Sequence, residues 1–269
     1  MAGDRISPLE VAVDALRLMR LRGRVYLGGA LGVLAAGAPS IYLSGSVDPA
    51  QPFNGLTLTV WLLSLLAGAA VYVVVLHDSL SALRERPGLL PDHFLGRYLR
   101  FLGRGFLLMF MVMGAGMLCG VVMVAAVVIL WPAPEGAEPS FAMTLLTVAA
   151  VMLPLAFFSV RWWPVLPATV MGDESSFRLS WRMTRGHSLR MLLFTLPFLL
   201  LNGAMQVVNG PAVEARTFDP FSPANLGFMV AGTAVMWFTF AAFIIWYEKL
   251  RLRAAGTPTD AQQQTAGEE

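Results

Sequence analysis

Apolar residues run long enough to cross a bilayer at six places along the chain, near 25–47, 57–77, 105–131, 141–163, 190–210 and 225–247. A helix rises about 1.5 Å per residue and the hydrocarbon core is about 30 Å thick, so each run predicts one transmembrane helix. None of the runs alternates polar with apolar in the manner of barrel strands, and lipid offers no partner for open backbone groups. The expected fold is therefore all-α, a six-span bundle. Pro39, Pro154 and Pro197 fall within spans and are expected to kink or loosen them.

Ahead of the first run, "ISPLEVAVDALRLMRLRGR" reads as a helix start rather than a secretory signal, since charges are spread through it and it has no small-residue cleavage site. Ser7 is the expected N-cap, Pro8 suits the first helical position and Glu10 completes a capping box. Ile6 and Val11 are spaced for a hydrophobic staple. A helix over about 8–22 follows. The last stretch, 254–269, has almost no apolar content and is expected to be a disordered tail beyond a single membrane domain, 1–253.

Charge placement orients the spans. Five arginines precede the first span, five fall within 78–104, five within 161–190, and three Lys/Arg follow residue 247. The intervening connections contain Arg216 alone, so eighteen of nineteen basic residues lie on one side. The positive-inside rule makes that side cytoplasmic, and both termini with it.

The basic segments resemble one another. "ALRLMRLRGRVYLGGALG", "RYLRFLGRGFLLMFMVMG" and "SWRMTRGHSLRMLLFTLP" each pass from a basic, apolar-interleaved helix through an Arg-Gly step into a span. This predicts three repeats of one unit, an interfacial amphipathic helix plus a transmembrane hairpin. In the second, His93, Arg97, Arg100 and Arg104 share a narrow stripe at 100° per residue. In the third, Arg178, Arg182 and Arg185 do the same, with Asp173 the expected N-cap and Gly186 the expected break. Arg97, Arg100, Arg104, Arg178, Arg182 and Arg185 are thus candidate contacts for anionic lipid headgroups.

Composition agrees: 57% of residues are hydrophobic, only 13% are charged, and mean hydropathy is +0.65. Soluble domains carry about 25% charge. One cysteine, Cys119, excludes an intramolecular disulfide framework.

Catalytic chemistry is scarce. His77, His93 and His187 form no metal-ligand spacing, and no Walker, GxSxG or dinucleotide motif occurs in the required context. The histidines are expected to be solvated or lipid-facing, and Cys119 to be packed and unreactive. No ionisable residue falls well inside a span. Arg161 lies within a turn of a span's end, where it is expected to snorkel. Thr195, Asn202, Gln206 and Asn209 share one face of the fifth span, expected to point into the bundle either as interhelical hydrogen bonds or as the lining of a polar path. Small-xxx-small pairs at Gly28/Gly32, Ser64/Gly68 and Gly116/Gly120 predict close helix approaches.

The stretch "RWWPVLPATVMGDESSFRLSWRMTRG", residues 161–186, ends a span in arginine. It then turns through Pro-x-x-Pro, breaks at an acidic residue and closes a Ser-Trp-Arg helix in Thr-Arg-Gly. It resembles the YciC-like bacterial inner-membrane proteins and the membrane domain attached to some glycerophosphodiester phosphodiesterases. The resemblance implies a bacterial cytoplasmic-membrane protein. It does not imply phosphodiesterase activity, which belongs to a separate soluble domain.

These features point to a non-enzymatic, multi-pass protein that contacts anionic lipids and other membrane proteins, without cofactor, metal or nucleic acid. The alternative is a small-solute transporter or channel using the polar face of the fifth span. A membrane-embedded lipid enzyme would need an acid–base pair or nucleophile that the sequence does not offer.

Overall fold

The computed structural model describes residues 6–46, 55–86, 90–130, 141–197, 201 and 222–256. Among these, every regular element is a helix: α1 (Pro8–Leu21), α2 (Gly23–Ser46), α3 (Gly55–Leu83), α4 (Phe94–Leu130), α5 (Phe141–Trp162), α6 (Val165–Met171), α7 (Phe177–Met183), α8 (Ser188–Pro197) and α9 (Pro223–Gly256). Four segments among the described residues are long and apolar enough to cross a membrane: Gly55–Leu83, Phe94–Leu130, Ala149–Met171 and Asn225–Ala255. They correspond to four of the six expected spans and are compatible with a multi-pass membrane protein. At the first expected span, α2 has 24 residues but does not join this group. At the fifth, α8 is a shorter apolar helix, and 202–210 lie outside the described residues.

The chain divides into two compact units, Met1–Tyr98 with Leu193–Glu269, and Leu99–Leu192. In the first, α1 lies against α9 and α2 against α3. Pro8 starts α1, and Val11, Ala15 and Leu18 recur at helical spacing to form its buried stripe. Ile6 and Val11 are both buried, as a hydrophobic staple requires. The capping box is not formed. Ser7 has the extended backbone of an N-cap, but its side chain makes no cap hydrogen bond, and Glu10 turns toward Lys249, 4.0 Å away. The core of this unit centres on Trp237, which meets Tyr26 edge-on at 5.8 Å and stacks on Tyr72 at 5.4 Å.

Close approach of α2 to α3 depends on glycine, and of the pair the spacing named only Gly32 takes part. A Cβ on Gly29 would lie 2.7 Å from Val75 Cγ2, and one on Gly32 3.0 Å from Val71 Cγ2. Gly28 faces open space, as does Gly68. The face of a helix that meets a neighbour is set by the neighbour's position, which a four-residue spacing does not specify. Ser64 does meet the facing helix, accepting a 2.7 Å hydrogen bond from Ser40.

In the second unit, Gly116 and Gly120 lie against Leu155 and Val151 of α5, so this small-residue pair makes the close approach expected of it. The α5 helix continues through Pro154, and α2 of the first unit likewise continues through Pro39. The chain leaves α6 through Gly172 in the left-handed conformation (φ 76°), while the Asp173 N–H donates back to the Ala168 carbonyl at 2.9 Å. Asp173 therefore closes α6 and does not cap α7. Ser176 is the N-cap, its Oγ accepting from the Leu179 N–H at 3.1 Å.

Of the three expected helix-to-span steps, the first appears as a break at Arg22 between α1 and α2. The third appears as a turn through Gly186 (φ 82°). The second is absent. Arg104-Gly105 lies inside the uninterrupted 37-residue α4, about 55 Å long. Nothing there relieves the chain of its i to i−4 ladder, so residues 94–104 extend the span itself and are not a separate helix lying flat. His93 precedes α4 with a left-handed backbone (φ 54°) and so falls outside the predicted stripe.

Candidate functional site

Two polar clusters stand out, one in each unit. In the first, the ends of α1, α3 and α9 gather charge. Asp78, wholly buried, accepts from Arg22 through both carboxylate oxygens, with Nε to Oδ2 at 2.7 Å. This bidentate hydrogen bonding raises the Arg22 pKa above its ordinary value. A raised value means the pair's contribution is present below that ordinary value and is lost only above it, outside any usual working pH. Glu248 accepts from Arg84 at 2.9 Å and from Arg251 one turn further along α9, while Lys249 reaches Asp14 of α1 at 2.8 Å. Beside them Ser79 donates to the Tyr26 hydroxyl at 3.1 Å, and Ser81 Oγ lies 3.5 Å from Nε2 of His77.

His77 is buried, contrary to the expectation of a solvated histidine, because α3 continues past it to Leu83 and the helix end is enclosed. Sequence reasoning also missed Asp78 and Glu248 as buried partners. Only part of this was signalled locally: Glu248 closes an apolar run with Arg251 one turn further on, whereas the partner of Asp78 is Arg22, 56 residues away.

The second cluster is built on Arg161, at the last turn of α5. Arg161 is buried, with 8% of its surface accessible, and does not snorkel. Its guanidinium carbon lies 3.9 Å from the centroid of the Trp181 ring and 5.5 Å from that of Phe157. Nη1 donates to Ser188 Oγ at 3.2 Å, and Nε is enclosed without a partner. The backbone is held as firmly: the Arg161 carbonyl accepts from Ser180 Oγ at 2.7 Å and from Thr184 Oγ1 at 3.3 Å. Ser180 and Thr184 are four apart on the inward side of α7 and its terminal turn, which docks that segment on α5. Trp162 completes the contact, 5.7 Å from Trp181 and 6.4 Å from Phe177.

The candidate lipid contacts divide accordingly. Arg178, Arg182 and Arg185 are exposed, opposite the buried Ser180, Thr184 and Ser188. Arg100 is exposed and Arg97 half-buried. Arg104 is also half-buried and donates to Thr169 Oγ1 at 3.0 Å, so it serves packing between α4 and α6. Of the polar face proposed for the fifth span, Thr195 is half-buried on α8, whereas Asn202, Gln206 and Asn209 lie outside the described residues. Cys119 is half-buried. Among the described residues no three His, Cys, Asp or Glu side chains gather as a metal site would require.

No protein-family model matches the chain, and neither a curated protein nor a solved structure matches it.

Proposed function

We propose that the chain is a non-enzymatic, multi-pass protein of the bacterial cytoplasmic membrane with both termini in the cytoplasm. In this reading its basic helices hold anionic lipid headgroups and its apolar bundle offers a surface to other membrane proteins. The observation that carries the reading is the pairing of two kinds of exposed side chain. Large apolar residues stand open on the long helices, among them Leu63 on α3, Leu118 and Ile129 on α4, and Val230 on α9. Soluble monomers rarely expose such continuous apolar surface, whereas lipid accepts it. Arg178, Arg182 and Arg185 stand exposed on and just after the short helix α7. Anionic headgroups reward such a stripe by roughly 1 kcal/mol per basic residue near the surface.

Support for the orientation comes from the charge segregation, which places eighteen of nineteen basic residues on one side of the expected spans. The resemblance of residues 161–186 to the YciC-like inner-membrane proteins supports the bacterial cytoplasmic membrane as the location.

Charge reversal tests the reading directly. The triple variant Arg178→Glu, Arg182→Glu, Arg185→Glu is expected to lose thermal stability in nanodiscs containing phosphatidylglycerol while matching the parent in pure phosphatidylcholine. An equal loss in both bilayers would remove the lipid reading.

A further inference from the structure

The 22 residues of α5, Phe141–Trp162, rise about 33 Å, close to the thickness of a hydrocarbon core, so the helix ends where a bilayer would end. Rings collect on one flank of this end. Phe158 stacks on Trp162, one turn later, at 5.2 Å, and both meet Trp181 of α7, at 6.2 and 5.7 Å. Phe177, one turn before Trp181, closes the group edge-on against Trp162 at 6.4 Å. These four rings are only half-buried, whereas Trp237 and Trp246, in the core of the other unit, are enclosed.

Around α7 and its terminal turn the side chains sort into three bands. Ser180 and Thr184 face inward and donate to the Arg161 carbonyl. Phe177 and Trp181, four apart, form the next band, and Arg178, Arg182 and Arg185 the third, all three exposed. From Phe158, a turn inside the span, the chemistry thus passes from a purely apolar ring through two indoles to cations. A bilayer changes in the same order from acyl chain to headgroup, and rings with one apolar and one polar end concentrate at that boundary. Trp181 is also oriented from within. Its face covers the Arg161 guanidinium, whose carbon lies 3.9 Å from the ring centroid, so the plane of the indole is set by the protein and not by the lipid.

We propose that Phe158, Trp162, Phe177 and Trp181 form an interfacial anchor that seats the end of α5 and the helix α7 at the boundary between acyl chains and headgroups. The occupant of this face is lipid. The cations bordering it are complementary to anionic headgroups, and Phe158 and Trp162 belong to a segment apolar enough to cross a membrane. The proposal rests on the lipid reading and gives it a depth, since the rings fix how far into the bilayer the arginines of α7 reach.

The test reads that depth. Full-length protein is reconstituted in vesicles of phosphatidylcholine and phosphatidylglycerol whose acyl chains carry bromine either near the headgroup or near the chain terminus. Tryptophan emission is recorded for the parent, Trp162→Phe, Trp181→Phe and the double variant. Phenylalanine keeps a ring in the packing and removes the indole, so the difference from the parent isolates the two indoles. The anchor predicts that the double variant loses quenching by headgroup-proximal bromine and keeps its quenching by terminal bromine. Should Trp181→Phe fail to fold, Trp162→Phe alone carries the same prediction. A greater loss with terminal bromine overturns the anchor, because the rings then lie deep in the core. No loss with either bromine also overturns it, because the rings then face water or a protein. In that case the triple charge-reversal variant separates the two readings: a phosphatidylglycerol-dependent loss of stability removes the anchor alone, and its absence removes the lipid reading as well.

Discussion

Arg84, at the end of α3, donates through Nη2 to Oε2 of Glu248 on α9 at 2.9 Å, and only 7% and 10% of the two side chains is accessible. The pair joins residues 164 positions apart. Removing one member of a buried pair strands the other charge, which costs about 3–5 kcal/mol, whereas replacing both with apolar side chains is often close to neutral. Glu248→Ala is therefore expected to unfold about 3–5 kcal/mol earlier in neutral detergent. The double variant Arg84→Met, Glu248→Leu should recover most of that loss, because Arg251 is one-third exposed and can turn to water. Equilibrium unfolding of the two variants side by side checks this.

Glycine substitutions separate the contact face of α2 from its open side. A methyl group on Gly29 would intrude on Val75 and Trp237, whereas one on Gly28 meets nothing within 4 Å. Overpacking a fitted contact costs about 1–3 kcal/mol. Replacing an exposed helical glycine by alanine returns about 0.5–1 kcal/mol. Gly29→Ala should thus lower the thermal midpoint and Gly28→Ala raise it, a difference in sign between adjacent residues.

This contrast shows how far the sequence could be read. The positions of the long helices were legible because lipid imposes a length and an apolarity on any segment that crosses it. The inward stripe of α1 was legible from the recurrence of Val11, Ala15 and Leu18. The Gly186 break was legible because glycine adopts a left-handed backbone without strain. What could not be read was anything set by a distant neighbour. Gly29 and not Gly28 faces α3 because α3 and Trp237 lie on that side. Asp78, Glu248 and Arg161 are buried because other elements close over the helix ends. The continuity of α4 was equally hidden, since an Arg-Gly step permits a break without requiring one.

Glu85 follows α3 with φ 54°, in the region glycine tolerates and other residues adopt at a cost, while the next N–H, that of Arg86, donates to the Ser81 carbonyl at 2.8 Å. This is the Schellman closure that usually places glycine at the left-handed position. Strain there is about 1–2 kcal/mol, partly offset by the greater freedom glycine has when unfolded. Glu85 is exposed, so its side chain buries nothing. Glu85→Gly is expected to stabilise by about 0.5–1 kcal/mol and Glu85→Ala to give no such gain, as measured by thermal unfolding in detergent.

Arg161 should respond to truncation in the opposite sense to Glu248. Removing Glu248 takes away the carboxylate that Arg84 and Arg251 share, but no described carboxylate depends on Arg161, so its removal strands no charge. Arg161→Met loses the stacking on Trp181, about 2 kcal/mol, and the bond to Ser188, which keeps its own donation to the Thr184 carbonyl. It also removes the several kcal/mol spent on enclosing an unmatched cation. Its flexible thioether can fill the space between Phe157 and Trp181 with favourable sulfur–aromatic contact. In phosphate-free neutral detergent, Arg161→Met is therefore expected to unfold at or above the midpoint of the parent protein. A loss comparable to that of Glu248→Ala would show that Arg161 is matched within the chain after all. Unfolding curves for the two variants, recorded under identical conditions, decide the sign.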